Sequence, residues 1–245
     1  MKQLMILSLL MLAVNPAAAQ GTGDGFQPLN DRLPPGYNAD VLRRIAASDS
    51  NWLQPVSVHL PSAGRVSVHA GASEAAATGM APAQFAATPG FVYRLQVSEM
   101  PEFPEQTFYP SVELLDRLHP PAGLEHRFPV PIVFTMADFK AASEGLLVTR
   151  VVYLENPRVA ASNDPLLRDR ALSGDAQMNA LAAAGRQGRP MLIIRLGGRT
   201  PGSGAAVSGF FGNGGLIGPS SAAGPDTGVA RMGFPRRIQQ VSARR

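Results

Sequence analysis

Cysteine is absent from the 245 residues of this chain. Its absence excludes disulfide bonds, catalysis by a thiolate and cysteine-ligated metal sites. It also removes the residue to which a bacterial lipid anchor would be attached. The fold must therefore be held together by its own hydrophobic core or by partners. Hydrophobic residues make up 45% of the chain, which is ordinary for a globular protein and sufficient for such a core.

Long hydrophobic runs are also scarce, and the one that stands out lies at the N-terminus. After Lys2, residues Leu4 to Val14 are apolar apart from Ser8, and Ala17-Ala18-Ala19 follow just before Gln20. A cationic start, an apolar stretch of about 7–15 residues and a small-residue cleavage site are typical of a secretory signal peptide. The stretch is too short to span ~30 Å of hydrocarbon. We therefore expect residues 1–19 to be cleaved, the mature protein to be periplasmic or extracellular, and no transmembrane segment.

Aromatic residues are few, at 7% with a single tryptophan, Trp52. This disfavours the aromatic-lined cleft of a glycosidase. The spacings G-x-S-x-G and H-E-x-x-H are missing, so neither a serine nucleophile nor a zinc protease is indicated. The glycine-rich stretch 209–218 has no strand before it and no helix after it, which argues against a phosphate-binding loop. We assign no catalytic residue and no cofactor.

Charge is distributed unevenly along the chain. Residues 1–185 carry 13 basic and 17 acidic side chains, whereas residues 186–245 carry nine arginines and one acid, Asp226. The formal charges of the two stretches are −4 and +8, and such asymmetry suggests a region that faces a polyanion. The candidate ligand-binding residues are Arg231, Arg236, Arg237, Arg244 and Arg245. The alternative is a solvated basic tail that has no specific partner.

The nature of that partner is constrained by the signal peptide and by the tail itself. Export argues against genomic DNA, and only Phe234 lies among the last arginines, so stacking on nucleic-acid bases is not indicated. Arginine binds carboxylate and phosphate groups well. We expect an anionic envelope polymer or a protein partner. The oligomeric state stays open.

The clearest pattern in the body is P-V-S-V-H-L-P-S-A-G-R-V-S-V-H-A, at residues 55–70. Valine alternates with polar residues in both halves, as in strands with one buried face. A loop at Ser62-Ala63-Gly64 would pair Val58 with Val68 in a hairpin. The pattern therefore predicts a hairpin that has all its valines on one side.

Other patterns predict short strands and helices between turns rich in glycine and proline. Strands are predicted at 91–97, 108–115, 132–135, 146–155 and 190–196. Helices are predicted at about 38–50, at 135–145 with Thr135 as N-cap and Gly145 as stop, and at 175–185 with Gly185 as stop. Residues 71–90 are predicted to be a long loop or a poorly formed strand. We expect a flexible N-terminal segment with a short helix (20–51), a β-rich domain (52–198) and a disordered Gly/Pro/Arg-rich tail (199–245). The predicted fold is mainly β, a β-sandwich-like domain with two short helices at its edges. The alternative is α+β, with a right-handed parallel crossover from strand 146–155 through helix 175–185 to strand 190–196.

Four segments carry a resemblance: Y-R-L-Q-V, F-Y-P-S-V-E-L-L-D-R-L-H-P-P-A-G-L-E-H-R-F-P-V-P-I, L-V-T-R-V-V-Y-L-E-N-P and G-R-P-M-L-I-I-R-L-G-G-R. Across residues 91–199 the chain resembles a group of uncharacterised exported proteins of planctomycete-type bacteria. The resemblance implies a shared exported domain. It implies no activity and no site residues.

Histidines are the candidate metal ligands. In the predicted hairpin, His59 and His69 would lie diagonally on the polar face, with β-carbons roughly 7–8 Å apart. Two ligands could share a metal, although zinc normally takes three or four; exposed strand positions are the simpler interpretation. His119, Glu125 and His126 lie in a proline-rich turn and could bind a metal or act as a general base. Surface turn residues are the alternative there.

Acidic residues are the last candidate group: Glu99, Glu102, Glu105, Glu113 and Asp116. A carboxylate pair could serve glycoside hydrolysis, but the intervening prolines favour a solvated loop. The sequence therefore favours a non-catalytic exported domain that binds or assembles at the cell envelope. The alternative is a metal-dependent or hydrolytic enzyme that uses the 119–126 turn.

Overall fold

The computed structural model describes residues 30–46, 52–157, 172–174, 179–202, 209–218 and 238–244. Three α-helices and twelve strands are present in these ranges. The helices are α1 (Tyr37–Ala46), α2 (Met136–Ser143) and α3 (Ala180–Gln187). The strands are β1 (Gln54–His59), β2 (Arg65–His69), β3 (Ala77–Met80), β4 (Ala83–Ala87), β5 (Phe91–Ser98), β6 (Ser111–Leu114), β7 (Val130–Val133), β8 (Val148–Glu155), β9 (Leu172–Gly174), β10 (Gly188–Leu196), β11 (Ile217–Gly218) and β12 (Ile238–Arg244).

The strands form two sheets, so the predicted mainly β, sandwich-like fold is confirmed. The small sheet has the order β11-β4-β1-β7, and the large sheet has the order β3-β2-β5-β6-β10-β8-β12-β9. A single apolar core joins them. It contains Val56 and Ile132 of the small sheet together with Leu95, Ile194 and Val152 of the large sheet. We call the face of the large sheet that meets the small sheet its inner face.

The opposite, outer face of the large sheet is also covered. Ile193, Val151 and Val241 form a second apolar cluster there with Ala39 of α1 and Leu181 of α3. Helix α3 begins at Asn179, whose side-chain oxygen accepts a hydrogen bond from the backbone N–H of Ala182, and it is rich in alanine, the best helix former. The central strands of the large sheet are therefore buried on both faces.

Helix α2 begins and ends where the sequence predicts. Thr135 is its N-cap and forms a capping box with Asp138, whose carboxylate accepts from the Thr135 backbone N–H at 2.7 Å. Gly145 follows the helix with φ +84°, a conformation that favours glycine. Phe139 of this helix packs in the main core, beside the rings of Phe108 and Phe134.

The predicted hairpin at 55–70 is wrong, although both of its strands exist. Strand β1 pairs with β4 and β7 in the small sheet, and β2 pairs with β3 and β5 in the large sheet. The chain crosses from one sheet to the other around Gly64, where an added β-carbon would come within 3.0 Å of side-chain carbons of Leu60 and Met100. All four valines face the core between the sheets. The alternation of valine with polar residues therefore predicts the buried face of each strand correctly and the partner of each strand incorrectly.

Three further predictions need correction inside the body of the domain. The segment 71–90 contains strands β3 and β4 and is not merely a loop. Strands β8 and β10 are antiparallel neighbours, which excludes the parallel crossover of the α+β alternative. Helix α3 runs through Gly185 to Gln187 rather than stopping at that glycine, and residues 175–178 at its predicted start lie outside the described residues.

The described parts of both terminal segments belong to the folded domain, contrary to the prediction from the sequence. In the segment predicted to be flexible, residues 30–46 pack on the large sheet, with Asn38 and Ala39 fully buried. In the predicted disordered tail, β12 pairs with β8 along seven residues, and Phe210 and Phe211 are buried. The predicted signal peptide, residues 1–19, lies outside the described residues. Among the helices that are described, none has the length and apolar character needed to cross a bilayer.

Two glycine-to-alanine substitutions should shift stability in opposite directions. At Gly188 an added β-carbon would lie 2.0 Å from the carbonyl oxygen of Leu154 on the neighbouring strand. We expect Gly188→Ala to cost about 1–3 kcal/mol, as overpacking does, which corresponds to roughly 2–10 °C in Tm for a domain of this size. At Gly185, within α3, no atom lies within 4 Å of the added carbon. Gly185→Ala should therefore gain up to about 1 kcal/mol from helix propensity.

Differential scanning calorimetry of the two variants and the parent protein measures both effects. An unchanged Tm for Gly188→Ala would contradict the close approach of β8 and β10 at this point.

Candidate functional site

Five polar residues form a row across the outer face of the large sheet. His69 of β2 is paired with Arg94 of β5, which is paired with Ser111 of β6. Ser111 is also paired with Arg195 of β10, which is paired with Thr149 of β8. Directly paired residues project from the same face of a sheet, so these side chains share one surface. With strands ~4.8 Å apart, the row extends about 19 Å. We call it the polar row.

The centre of the polar row is held by a buried ion pair. Glu113, two residues after Ser111, is completely buried, and its Oε2 accepts from Nη1 of Arg195 at 2.8 Å. Its Oε1 accepts from the backbone N–H of Ala39 at 2.8 Å, in the first turn of α1. A carboxylate at this position is favourable because the N-terminus of a helix carries a partial positive charge.

The remaining donors of Arg195 hold the turn that precedes α1. Its Nε and Nη2 donate to the carbonyl oxygen of Asp31 at 3.3 and 3.2 Å, and Nη2 also donates to that of Leu33 at 3.2 Å. The ion pair therefore fixes residues 31–39 over β6 and β10. These side chains serve the fold, since their charges are neutralised within the protein.

Arg94 is held differently, because no carboxylate among the described residues pairs with it. Its Nε donates to the carbonyl oxygen of Phe210 at 2.8 Å, and its Nη1 donates to that of Tyr109 at 2.9 Å. The guanidinium carbon lies 4.5 Å from the centroid of the Phe210 ring. Burial, and secondly the charge of Arg199, lowers the pKa of Arg94 to about 10. Arg94 therefore remains a cation at neutral pH.

Two other members of the polar row have polar atoms without hydrogen-bond partners. His69 is 2% exposed, and its Nε2 lies 3.3 Å from Oε1 of Gln96 while its ring packs 4.6 Å from that of Phe211. Its Nδ1 and the hydroxyl of Thr149 are buried and have no partner in the described part of the chain. Buried polar atoms are rarely left unpaired in native proteins. Together with Arg94, they make the polar row the candidate functional site.

A second buried ion pair lies on the inner face. Nη2 of Arg150 is 2.7 Å from Oδ2 of Asp138, the capping residue of α2, and the Arg150 side chain is 8% exposed. Nη1 of Arg150 donates to Oε1 of Gln240 at 3.1 Å and to the carbonyl oxygen of Val133 at 3.4 Å. This pair therefore joins β8 to α2, β7 and β12, and its role is structural.

The structure separates His59 and His69, which the predicted hairpin placed side by side. His59 belongs to the small sheet, where its Nε2 lies 3.2 Å from the hydroxyl oxygen of Ser57 and burial lowers its pKa. His69 belongs to the large sheet and lies under Phe211. The register that would make them joint ligands does not form. Within the ranges that the structure describes, no group of three or more potential metal ligands is found.

The turn at 119–126 does not assemble an acid–base group. His119 is exposed, whereas Glu125 and His126 are half-buried in a short 3₁₀ turn. Oε1 of Glu125 accepts from the backbone N–H of Gly123 at 3.0 Å. No hydrogen bond joins Glu125 to either histidine in the described chain.

The acidic cluster predicted from the sequence is dispersed. Glu99 pairs with Arg65 at 2.8 Å, Glu102 accepts from the hydroxyl of Ser62 at 2.6 Å, and Asp116 pairs with Arg189 at 3.1 Å. Glu105 is exposed and Glu113 is buried in the ion pair of the polar row. These carboxylates do not face a common cleft.

The arginines predicted to bind a polyanion are described only in part. Arg244 is the last residue of β12 and lies opposite Val148 of β8. The other four, Arg231, Arg236, Arg237 and Arg245, lie outside the described residues.

The polar row was missed because its members are far apart in the sequence and meet only through strand register. One signal was available: a charged residue in the middle of a strongly apolar strand, as at Arg195 in M-L-I-I-R-L. Such a residue is seldom buried without a partner. Comparisons with protein-family models, with curated proteins and with solved structures find no match to this chain. The resemblance to exported proteins of planctomycete-type bacteria stays a prediction.

The ion pair of the polar row should show strong energetic coupling. We expect Glu113→Gln or Arg195→Met to lower the free energy of unfolding by about 3–5 kcal/mol, because each leaves a buried charge unpaired. The double variant should lose clearly less than the sum of the two. Urea denaturation of the four proteins in this double-mutant cycle gives the coupling energy.

The matched control is the exposed pair Arg65–Glu99, which joins β2 to the residue that follows β5. Arg65→Met and Glu99→Gln should each cost less than about 1 kcal/mol. Additive losses at Glu113 and Arg195 would contradict the interpretation.

Proposed function

We propose that this protein is an exported, non-catalytic binding or assembly domain of the bacterial cell envelope, which holds an anionic polymer or partner through its basic C-terminal region. The observation that carries the proposal is the separation of charge. Residues 186–245 contain nine arginines and one acid, whereas the rest of the chain is mildly acidic. Such a region attracts polyanions by long-range electrostatics.

The position of β12 supports this proposal. The strand is inserted between β8 and β9, so the basic region is attached to the large sheet at a defined place. Arg236 and Arg237 immediately precede the strand in the sequence, and Arg244 and Arg245 end the chain. Arginine binds carboxylate, sulfate and phosphate groups well, so arginines next to this strand in the sequence suit an extended anionic polymer.

The state of the buried ionisable groups is consistent with a binding role. Glu113 and Asp138 are each neutralised by an arginine and also accept bonds from a helix terminus. Carboxylates that are committed in this way contribute to the fold and are poor general acids or bases. The alternative is an enzyme that uses His119, Glu125 and His126. No hydrogen bond joins Glu125 to either histidine in the described chain, so the geometry does not favour this alternative.

Export is tested by following the N-terminus. When the full chain is produced in a Gram-negative bacterium, we expect the extracytoplasmic form to begin near Gln20, as determined by N-terminal sequencing. Replacing Leu9 and Leu10 with arginine should interrupt the apolar stretch and leave the uncleaved chain in the cytoplasm. The matched change, Leu146→Arg and Leu147→Arg at two adjacent leucines that are exposed on the domain, should not block cleavage. An uncleaved parent chain in the cytoplasm would refute the export part of the proposal.

Binding is tested by substituting arginines rather than by truncation, because truncation would remove β12 from the large sheet. The variant changes Arg231, Arg236, Arg237 and Arg245 to glutamine. We expect it to elute from immobilised heparin at lower salt than the parent protein. By analogy with DNA, the slope of log Kd against log salt should fall by up to about one for each arginine that contacts the polymer.

The matched control replaces four exposed arginines of the body, Arg43, Arg44, Arg65 and Arg127, with glutamine and has the same net charge. It should elute close to the parent protein. Equal losses in the two variants would show that net charge alone determines retention, and the proposed role of the C-terminal region would be wrong.

A further inference from the structure

Arg94, which is half-buried, differs from Arg150 and Arg195, the two arginines that the large sheet buries. Arg150 and Arg195 each have a carboxylate within 2.8 Å. Arg94 has two carbonyl oxygens and one aromatic ring instead, and no acid within the described residues pairs with it. A partly desolvated cation is costly unless it is neutralised. This position in the polar row is therefore short of one negative charge.

The unused part of the Arg94 guanidinium can supply hydrogen bonds to an anion. A guanidinium has five N–H donors, and the carbonyl groups of Phe210 and Tyr109 accept from one nitrogen each, Nε and Nη1. The donors on Nη2 have no acceptor in the described chain. The same contacts, with the Phe210 ring 4.5 Å away, hold the group in one orientation. A fixed guanidinium loses little conformational entropy when it binds a carboxylate or phosphate in a bidentate manner.

Arg199 supplies a second positive charge at this place. It follows the end of β10, the strand on which Arg195 is paired with Ser111, and Ser111 is in turn paired with Arg94. Its side chain is exposed, and its charge lowers the pKa of Arg94. Two cations that repel each other in a partly desolvated site attract a common anion, because the anion relieves the repulsion. Tyr109 is half-buried, and its ring packs edge-on against Phe210 at 5.5 Å. The site thus combines a half-buried cation, an exposed cation and two aromatic rings.

We propose that Arg94 and Arg199, beside Tyr109 and Phe210, form a binding site for an oxyanion: the carboxylate or phosphate group of a small ligand or of a polymer end. Arg94 makes the oriented hydrogen bonds, and Arg199 contributes attraction from the solvent side. The site does not include the arginines of residues 231–245, so it is independent of the polyanion binding proposed above.

The test is an NMR titration of the purified protein with sodium phosphate and, in a separate arm, sodium acetate. Sodium chloride keeps the ionic strength constant. We expect saturable shifts of the Arg94 side-chain Nε–H and of the Phe210 and Phe211 amides in at least one arm. The arm that saturates at lower concentration tells whether phosphate or carboxylate is the preferred group.

Three variants make the result specific. Arg94→Gln should abolish the saturable shifts of the two amides, and Arg199→Gln should weaken binding several-fold. Arg94→Gln also removes the hydrogen bond to Phe210 and could loosen the 209–212 segment. Arg199 makes no hydrogen bond or ion pair within the described chain, so Arg199→Gln should keep the Tm of the parent protein. Arg65→Gln, on the neighbouring strand β2, removes an exposed arginine and should bind as the parent protein does.

Three outcomes would overturn the site: no saturable response in either arm of the parent protein, parent-like affinity in Arg199→Gln, or an equal loss in Arg65→Gln. The variant that lacks Arg231, Arg236, Arg237 and Arg245 should retain the full response. Its behaviour keeps a failure of this site distinct from a failure of the C-terminal region.

Discussion

The ion pair between Glu113 and Arg195 determines how the outer face of this protein is built. Both charges lie on central strands of the large sheet, where water is excluded, and the pair alone leaves further polar atoms to be bonded. The N–H of Ala39 and the carbonyl groups of Asp31 and Leu33 complete it. The turn before α1 must therefore lie over β6 and β10. Its Gly36 then packs close to Val92 and near Asn213, so the 209–218 segment meets the turn there.

The large sheet has two buried faces, and an arginine–carboxylate pair on each. Arg150 faces inward to Asp138, and Arg195 faces outward to Glu113. A shift of β8 by one residue would turn Arg150 to the opposite face, away from Asp138, and a shift of β10 would do the same to Arg195 and Glu113. Either shift would leave two buried charges unpaired, a larger penalty than the loss of apolar contacts at single positions. We infer that the two pairs specify the register of the central strands, a role that apolar residues on both faces cannot fulfil.

The sequence predicts local structure well where the signal is local. Strands β5, β8 and β10 and the Thr135–Asp138 capping box lie where β-branched runs and cap spacing place them. Pairing is not local. Valines that alternate in β1 and β2 face one core whether the strands are paired or lie in opposite sheets, so the pattern could not distinguish these arrangements. Strand β12 has a weak pattern, I-Q-Q-V-S-A-R, and is a strand because β8 supplies a complete ladder of partners.

The polar row shows why the candidate site could not be found by motif. Its five residues span positions 69 to 195, and only the register of five strands brings them onto one line. Burial then separates their roles. A cation neutralised by a carboxylate, as at Arg195, is already stabilised and has little to gain from a ligand. A cation that is bonded only to carbonyl oxygens and a ring, as at Arg94, keeps its full charge in a partly dry environment. Neutralising the charge of Arg94 would therefore gain more free energy than neutralising that of Arg195. For this reason an external anion would bind near Arg94 rather than at the centre of the polar row.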